Sequence, residues 1–190
     1  MATLVATAGA ADANSYLTLA EANAYFETRL SADAWDNADD PERALMFATR
    51  VLDKMGQPYK YLIFGDPQYY RTRPQWTGAP TTTTQKLSWP RTGMLDANDN
   101  EIADTVIPQD LKDATAELAL ALLVSDRTLD SDISIQGITS IKAGPVSLSF
   151  KDMIASKVMP DYVWSLMPPS WFTDELIEYV GVAVAEFEVL

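Results

Sequence analysis

The run Leu118-Ala-Leu-Ala-Leu-Leu-Val124 constrains the fold more than any other part of this chain. It continues a helical pattern that Pro108 opens, with Asp110 and Asp113 near the positive end of the helix dipole. Leu111, Ala114, Thr115, Leu118 and Leu122 make one stripe. Past Glu117 the residues are apolar all round, and such a helix is covered on every side. The sequence therefore predicts a central helix, helix C, with helices A and B packed against it.

Two further helices have clear starts. Helix A is expected from Leu19 to Leu30: Thr18 and Glu21 form a reciprocal capping box, and Leu19, Ala22, Phe26 and Leu30 share a stripe. A short turn follows, with Trp35 packing back as a lid on the core. Helix B opens with Asp40 as N-cap, Pro41 at the first helical position and Glu42 in the first turn. Its apolar face is Ala44, Leu45, Ala48, Val51, Leu52 and Met55, and Gly56 with Pro58 ends it. A short helix fits Pro160 to Leu166, stopped by Pro168-Pro169.

From Gln57 to Val106 no helical period holds. Prolines punctuate this stretch, yet its tyrosines and tryptophans are too many for a solvated linker, so it is expected to dock on its own domain or on a neighbour. Val146, Leu148 and Phe150 alternate with polar residues, which signals a half-buried strand. Ile133, Ile135 and Ile141 belong to its partner, with Gly137 as a bulge and Ala143-Gly144-Pro145 as the turn. A lone hairpin is marginal in water, so this one lies on the helices or extends a sheet across subunits. The tail has a helical start over Thr173 to Ile177 and strand-like alternation towards Leu190. An apolar strand there calls for a partner. The expected fold is mainly α: a small bundle of three to four helices with one β-hairpin, an extended loop and a C-terminal arm. Residues 1–170 form the domain, with the long insertion at 57–106, and residues 171–190 form the arm.

Composition narrows the chemistry. The 190 residues contain no cysteine and no histidine. That removes disulfides, zinc–thiolate sites, thiol nucleophiles and the commonest general base. A chain of this length buries roughly 70% of its unfolded surface and folds without metal or disulfide. No catalytic residue, metal site or cofactor is expected. Asp96, Asp99, Glu101 and Asp104 miss the spacing of a calcium loop and suit a solvated turn. Asp110, Asp113 and Glu117 on one helical face are explained by the dipole and an exposed face. No secretory signal and no membrane span is visible, so a soluble protein made in a cytoplasm is expected.

The net charge is −13, from 14 bases against 27 acids, and repulsion of DNA is the expected behaviour. Only residues 61–95 are positive, with Asp66 against Arg71, Arg73, Lys86 and Arg91. Tyr69, Tyr70, Arg71, Arg73 and Trp76 form a basic patch interleaved with aromatics. A protein–protein anchor suits it better than a single-strand contact through stacking and charge. Trp171, Phe172 and Phe187 of the tail join it as candidate partner-binding residues. Ile141, Val146, Leu148 and Phe150 are the candidate inter-subunit hairpin.

The wording of four stretches carries a resemblance. They are Ala13-Asn-Ser-Tyr-Leu-Thr-Leu-Ala-Glu-Ala-Asn-Ala-Tyr-Phe26, Arg43-Ala-Leu-Met-Phe-Ala-Thr-Arg-Val-Leu-Asp53, Leu87-Ser-Trp-Pro-Arg-Thr-Gly93 and Ile107-Pro-Gln-Asp-Leu-Lys-Asp-Ala-Thr-Ala-Glu-Leu-Ala119. Together they resemble a family of phage structural proteins often labelled DnaT-like single-stranded-DNA-binding proteins. With Ser140-Ile-Lys-Ala-Gly-Pro-Val-Ser-Leu-Ser-Phe150 following, they are also similar to phage head–tail connector (adaptor) proteins. The resemblance covers about residues 13–167. It implies a virion protein that assembles as a homo-oligomeric ring of roughly twelve copies beneath the portal, by a repeated heterologous interface. The implied partners are the portal protein, the next tail or neck protein and genomic DNA passing through the lumen, with no membrane. The stretch between helix B and Trp89 is longer than the family's, and the tail after Pro169 is additional, so partner contacts through those parts are not carried over. The alternative is a phage protein that binds single-stranded DNA.

Overall fold

The computed structural model describes residues 3–55, 60–63, 66–72, 75–128, 140–143, 146–149, 159–173 and 177–179. These are mainly helical, with five α-helices and small antiparallel sheets. The helices are α1 (Leu19–Phe26), α2 (Asp33–Asp36), α3 (Pro41–Met55), α4 (Gln109–Val124) and α5 (Asp161–Ser165). The strands are β1 (Lys60–Ile63), β2 (Asp66–Thr72), β3 (Ala79–Pro80), β4 (Arg91–Thr92), β5 (Ser140–Ala143), β6 (Val146–Ser149) and β7 (Ile177–Tyr179). Among the described residues no helix is long and apolar enough to cross a membrane.

Helix α4 is the hub. α1, α2, α3 and α5 all pack against it, α3 most extensively. Leu111 and every residue from Ala114 to Leu120 are buried, as an apolar helix in the middle of a bundle requires. The last turn departs from the expectation of full burial: Leu122 and Leu123 are half-buried and Val124 is exposed. There the helix has run past the bundle. Helix α3 begins where its cap signals place it, with the Arg43 N–H donating to Asp40 Oδ1 at 3.1 Å. Ala44, Leu45, Ala48 and Leu52 form its buried face.

Helix α1 has both halves of its capping box but ends at Phe26, one turn short of the expected Leu30. Thr28 Oγ1 donates to the Tyr25 carbonyl, and Ser31 takes φ +58°, which turns the chain away. Leu30 is left 87% exposed, so it is not part of the apolar stripe. Trp35 closes the corner, stacked on Phe26 at 4.5 Å, with Nε1 donating to Asn23 Oδ1.

The expected loop at 57–106 is not structureless. Antiparallel pairing gives a three-stranded sheet in the order β1-β2-β7, and β3 pairs with β4. Proline and mixed polarity obscure these strands in the sequence, and the third strand of the larger sheet, β7, comes from far along the chain. Ile177, read as the end of a helical start, instead opens the strand β7, which pairs with β2 of the same chain. The hairpin β5–β6 forms as expected, with Ile141 opposite Leu148, while Ala143, read as part of the turn, is the last residue of β5 and stands opposite Val146. Ile133, Ile135, Gly137, Phe150 and residues 180–190 lie outside the described residues.

Candidate functional site

The opening motif is an anchor. The Tyr16 N–H donates to Thr49 Oγ1 at 3.2 Å, and the Tyr16 hydroxyl donates to Asp53 Oδ1 at 2.6 Å, tying the N-terminal arm to α3. The Ser88 N–H donates to the same oxygen at 2.6 Å. Tyr16 and Asp53 are buried, and burial first, then the adjacent carboxylate, push the Tyr16 hydroxyl well above its ordinary pKa. It stays a neutral donor.

Arg91 latches the long connection from inside. Its guanidinium donates to the carbonyls of Thr77 at 2.7 Å, Ser88 at 3.0 Å and Gly78 at 3.0 Å. Burial lowers its pKa while Tyr16 and Asp53 pull it back, so the group stays charged. The sequence counted Arg91 within the positive segment, but the structure removes it from the surface. The Trp89–Pro90 peptide before it is cis.

A second buried polar group corrects the reading of the acidic helix face. Glu117 is buried rather than exposed. Its carboxylate accepts from Tyr25 Oη at 2.9 Å and is ion-paired with Arg29. Burial, then the bond to Glu117, push the Tyr25 hydroxyl far up, and that same carboxylate raises Arg29. The network is structural. Asp96, by contrast, stands in a solvated turn as expected, its Oδ1 accepting from the N–H groups of Asn98 and Asn100.

The expected partner-binding set is not one surface. Trp76 and Trp171 are core residues, 6% and 1% exposed. Trp76 lies 4.5 Å from Phe172 between ring centroids, Trp89 lies 4.7 Å from Trp171, and Trp164 covers Phe172 at 5.1 Å. Trp171 Nε1 donates to the Leu95 carbonyl at 2.7 Å. The backbone also zips across, with Thr77 N–H donating to the Trp171 carbonyl and Thr173 N–H to the Gln75 carbonyl, both at 2.8 Å. The domain therefore continues past residue 170. Sequence reasoning saw exposed anchors because nothing local says that residues 75–77 and 171–173 meet.

The remaining described members of the set lie in β2, where Arg71 stands in register with Tyr61 and Ile177, Tyr69 with Tyr179, and Tyr70 with Leu62 and Glu178. Arg73 and Phe187 lie outside the described residues.

The structure assembles a different basic site. A cleft of about 360 Å³ is lined by Arg50, Lys54 and Lys86, with half-buried Met46 and Leu87 and the buried Asp53 carboxylate. Arg50 and Lys54 are one turn apart on α3, a spacing visible in the sequence. Lys86 joins them only through the tertiary fold, its N–H donating to the Ala10 carbonyl at 3.2 Å. Among the described residues neither Lys54 nor Lys86 is ion-paired. Three cations against one carboxylate make this locally positive in an acidic chain. It has no nucleophile–base pair, and it suits an anionic partner.

The family model described as "Putative DnaT-like ssDNA binding protein" matches residues 1–168, which takes in the capped helices, the Arg91 latch and the central helix. The chain belongs to that family. No curated protein and no solved structure matches it. The family assignment agrees with the resemblance carried by the opening motif and by the Trp89-Pro90-Arg91 segment. The match ends at residue 168, just before the segment that adds Trp171 and Phe172 to the aromatic core.

Proposed function

We propose that this protein is a structural subunit of a phage particle, a head–tail connector that closes into a ring under the portal, joins the capsid vertex to the tail and catalyses nothing. The observation that carries this reading is where the cations go. Arg29 pairs with Glu117, Arg43 with Asp40 and Lys112 with Glu21, while Arg91 is buried on backbone carbonyls. Among the described residues this leaves the Arg50–Lys54–Lys86 cleft as the positive place. With a net charge of −13 the chain as a whole repels phosphate, which suits a wall past which DNA moves. The resemblance to connector proteins along residues 13–167 supports the same reading. Electron microscopy of the purified protein with its portal tests it. Rings seated on the portal are expected, and the absence of both rings and portal binding overturns it.

A second reading, single-stranded-DNA binding, is the one that the family's description fits better. Tyr61 and Arg71, in register across β1 and β2, and Tyr69 in β2 are the residue types of a stacking platform. It predicts oligonucleotide affinity that falls steeply with salt and drops in Arg71→Ala/Arg73→Ala. No binding at low salt removes it.

A further inference from the structure

We propose that the Arg50–Lys54–Lys86 cleft receives the acidic turn of a second copy of this chain, the turn that carries Asp99, Glu101 and Asp104. This contact rests on the ring reading above and gives it an interface. Three observations select the occupant. The first is charge: the cleft is locally positive on an acidic protein, and the turn presents three exposed carboxylates. The second is the apolar part. Met46 and Leu87 line the cleft, and the turn is flanked by Leu95 and Val106, which are 41% and 45% exposed. No aromatic ring lines the cleft to stack a base.

The third is preorganisation. Asp96 N–H donates to the Asn100 carbonyl at 2.8 Å, Ile102 N–H to the Met94 carbonyl at 2.9 Å, and Leu95 bridges Glu101. The turn is a built projection, so little ordering opposes its docking. Cleft and turn have no residue in common, so the contact can repeat head to tail from copy to copy, and such a heterologous contact closes a ring when its rotation allows.

Because the chain has no cysteine, a pair of engineered thiols reports this contact without background. The variant Lys86→Cys/Glu101→Cys, oxidised under mild conditions at assembling concentration, is expected to give a covalent ladder of trimers and longer species. Each single-cysteine variant is expected to stop at dimers. In sedimentation, Lys54→Glu/Lys86→Glu and Asp99→Lys/Glu101→Lys are each expected to weaken self-association at least about tenfold, with mixing of the two restoring it. All four positions are exposed, and circular dichroism checks that each variant folds. Rings that form unchanged in both charge reversals, with no ladder, overturn the inference and leave the ring reading standing. A wild-type chain that never self-associates, even with portal, overturns both. Loss of oligonucleotide binding in Lys54→Glu/Lys86→Glu with self-association intact assigns the cleft to phosphate and also overturns the inference.

Discussion

The guanidinium of Arg29 lies flat against the carboxylate of Glu117, Nε 2.8 Å from Oε1 and Nη2 3.1 Å from Oε2, across 88 residues of sequence. This two-point pairing lets a charged residue sit inside the central helix, and it draws the end of α1 onto α4. Glu117→Gln is expected to destabilise the fold by about 2–3 kcal/mol, less than a fully dry pair because the Arg29 side chain is 32% exposed. The double variant Arg29→Met/Glu117→Leu is expected to lose less than the two single losses combined. A double-mutant cycle by urea denaturation checks both.

Tyr16→Phe removes one donor from the buried Asp53 carboxylate, whose Oδ1 keeps the Ser88 N–H. A loss of about 1–2 kcal/mol is expected. Increased hydrogen exchange of the N-terminal arm is expected to accompany it. Unchanged exchange there shows that the arm is held by other contacts.

Arg91→Lys is expected to fail as a conservative change. A lysine has one nitrogen where the guanidinium reaches three separate carbonyls, so a loss of about 2 kcal/mol or more is expected by thermal unfolding.

Glycines 78 and 93 both have positive φ, +63° and +73°, but differ in surroundings. A Cβ at Gly78 meets the Thr92 carbonyl oxygen at 2.2 Å, whereas one at Gly93 meets nothing within 4 Å. Gly93→Ala is expected to cost about 1 kcal/mol for the left-handed backbone alone. Gly78→Ala carries that cost plus a backbone clash and is expected to be clearly the worse of the two in denaturation.

Glu21 gives a pH dependence. Burial raises its pKa, but the Lys112 ammonium and the Thr18 N–H and hydroxyl outweigh this and hold the carboxyl below its ordinary range. A lowered folded pKa stabilises the fold above the unfolded value and loses that contribution as pH falls through the folded one. Glu21→Gln is therefore expected to cost about 1 kcal/mol or less at pH 7, screening by solvent limiting the Lys112 share. The difference from wild type is expected to start closing below the unfolded value, about pH 4.3, and to go on closing as pH falls through the lower folded one. A gap that does not narrow with pH in that range shows that the carboxylate charge is not what the cap uses.

What the sequence determined is what neighbours along the chain decide. The starts of α1, α3 and α4, the presence of the β5–β6 hairpin, the turn at Asp96 and the buried stripe of α4 as far as Leu118 are set by caps, prolines and periodicity within a few residues, and each stands where those signals place it. Tertiary structure decided the rest. Glu117 and Arg91 read as surface charges until partners from distant segments satisfy them, because desolvation depends on what arrives from elsewhere. Trp76 and Trp171 became core, and Arg50, Lys54 and Lys86 became one cleft, for the same reason. Local pattern encodes which way a side chain leaves its own element, while whether it then meets solvent, a ring or a second charge is a property of chain crossings that no short window contains.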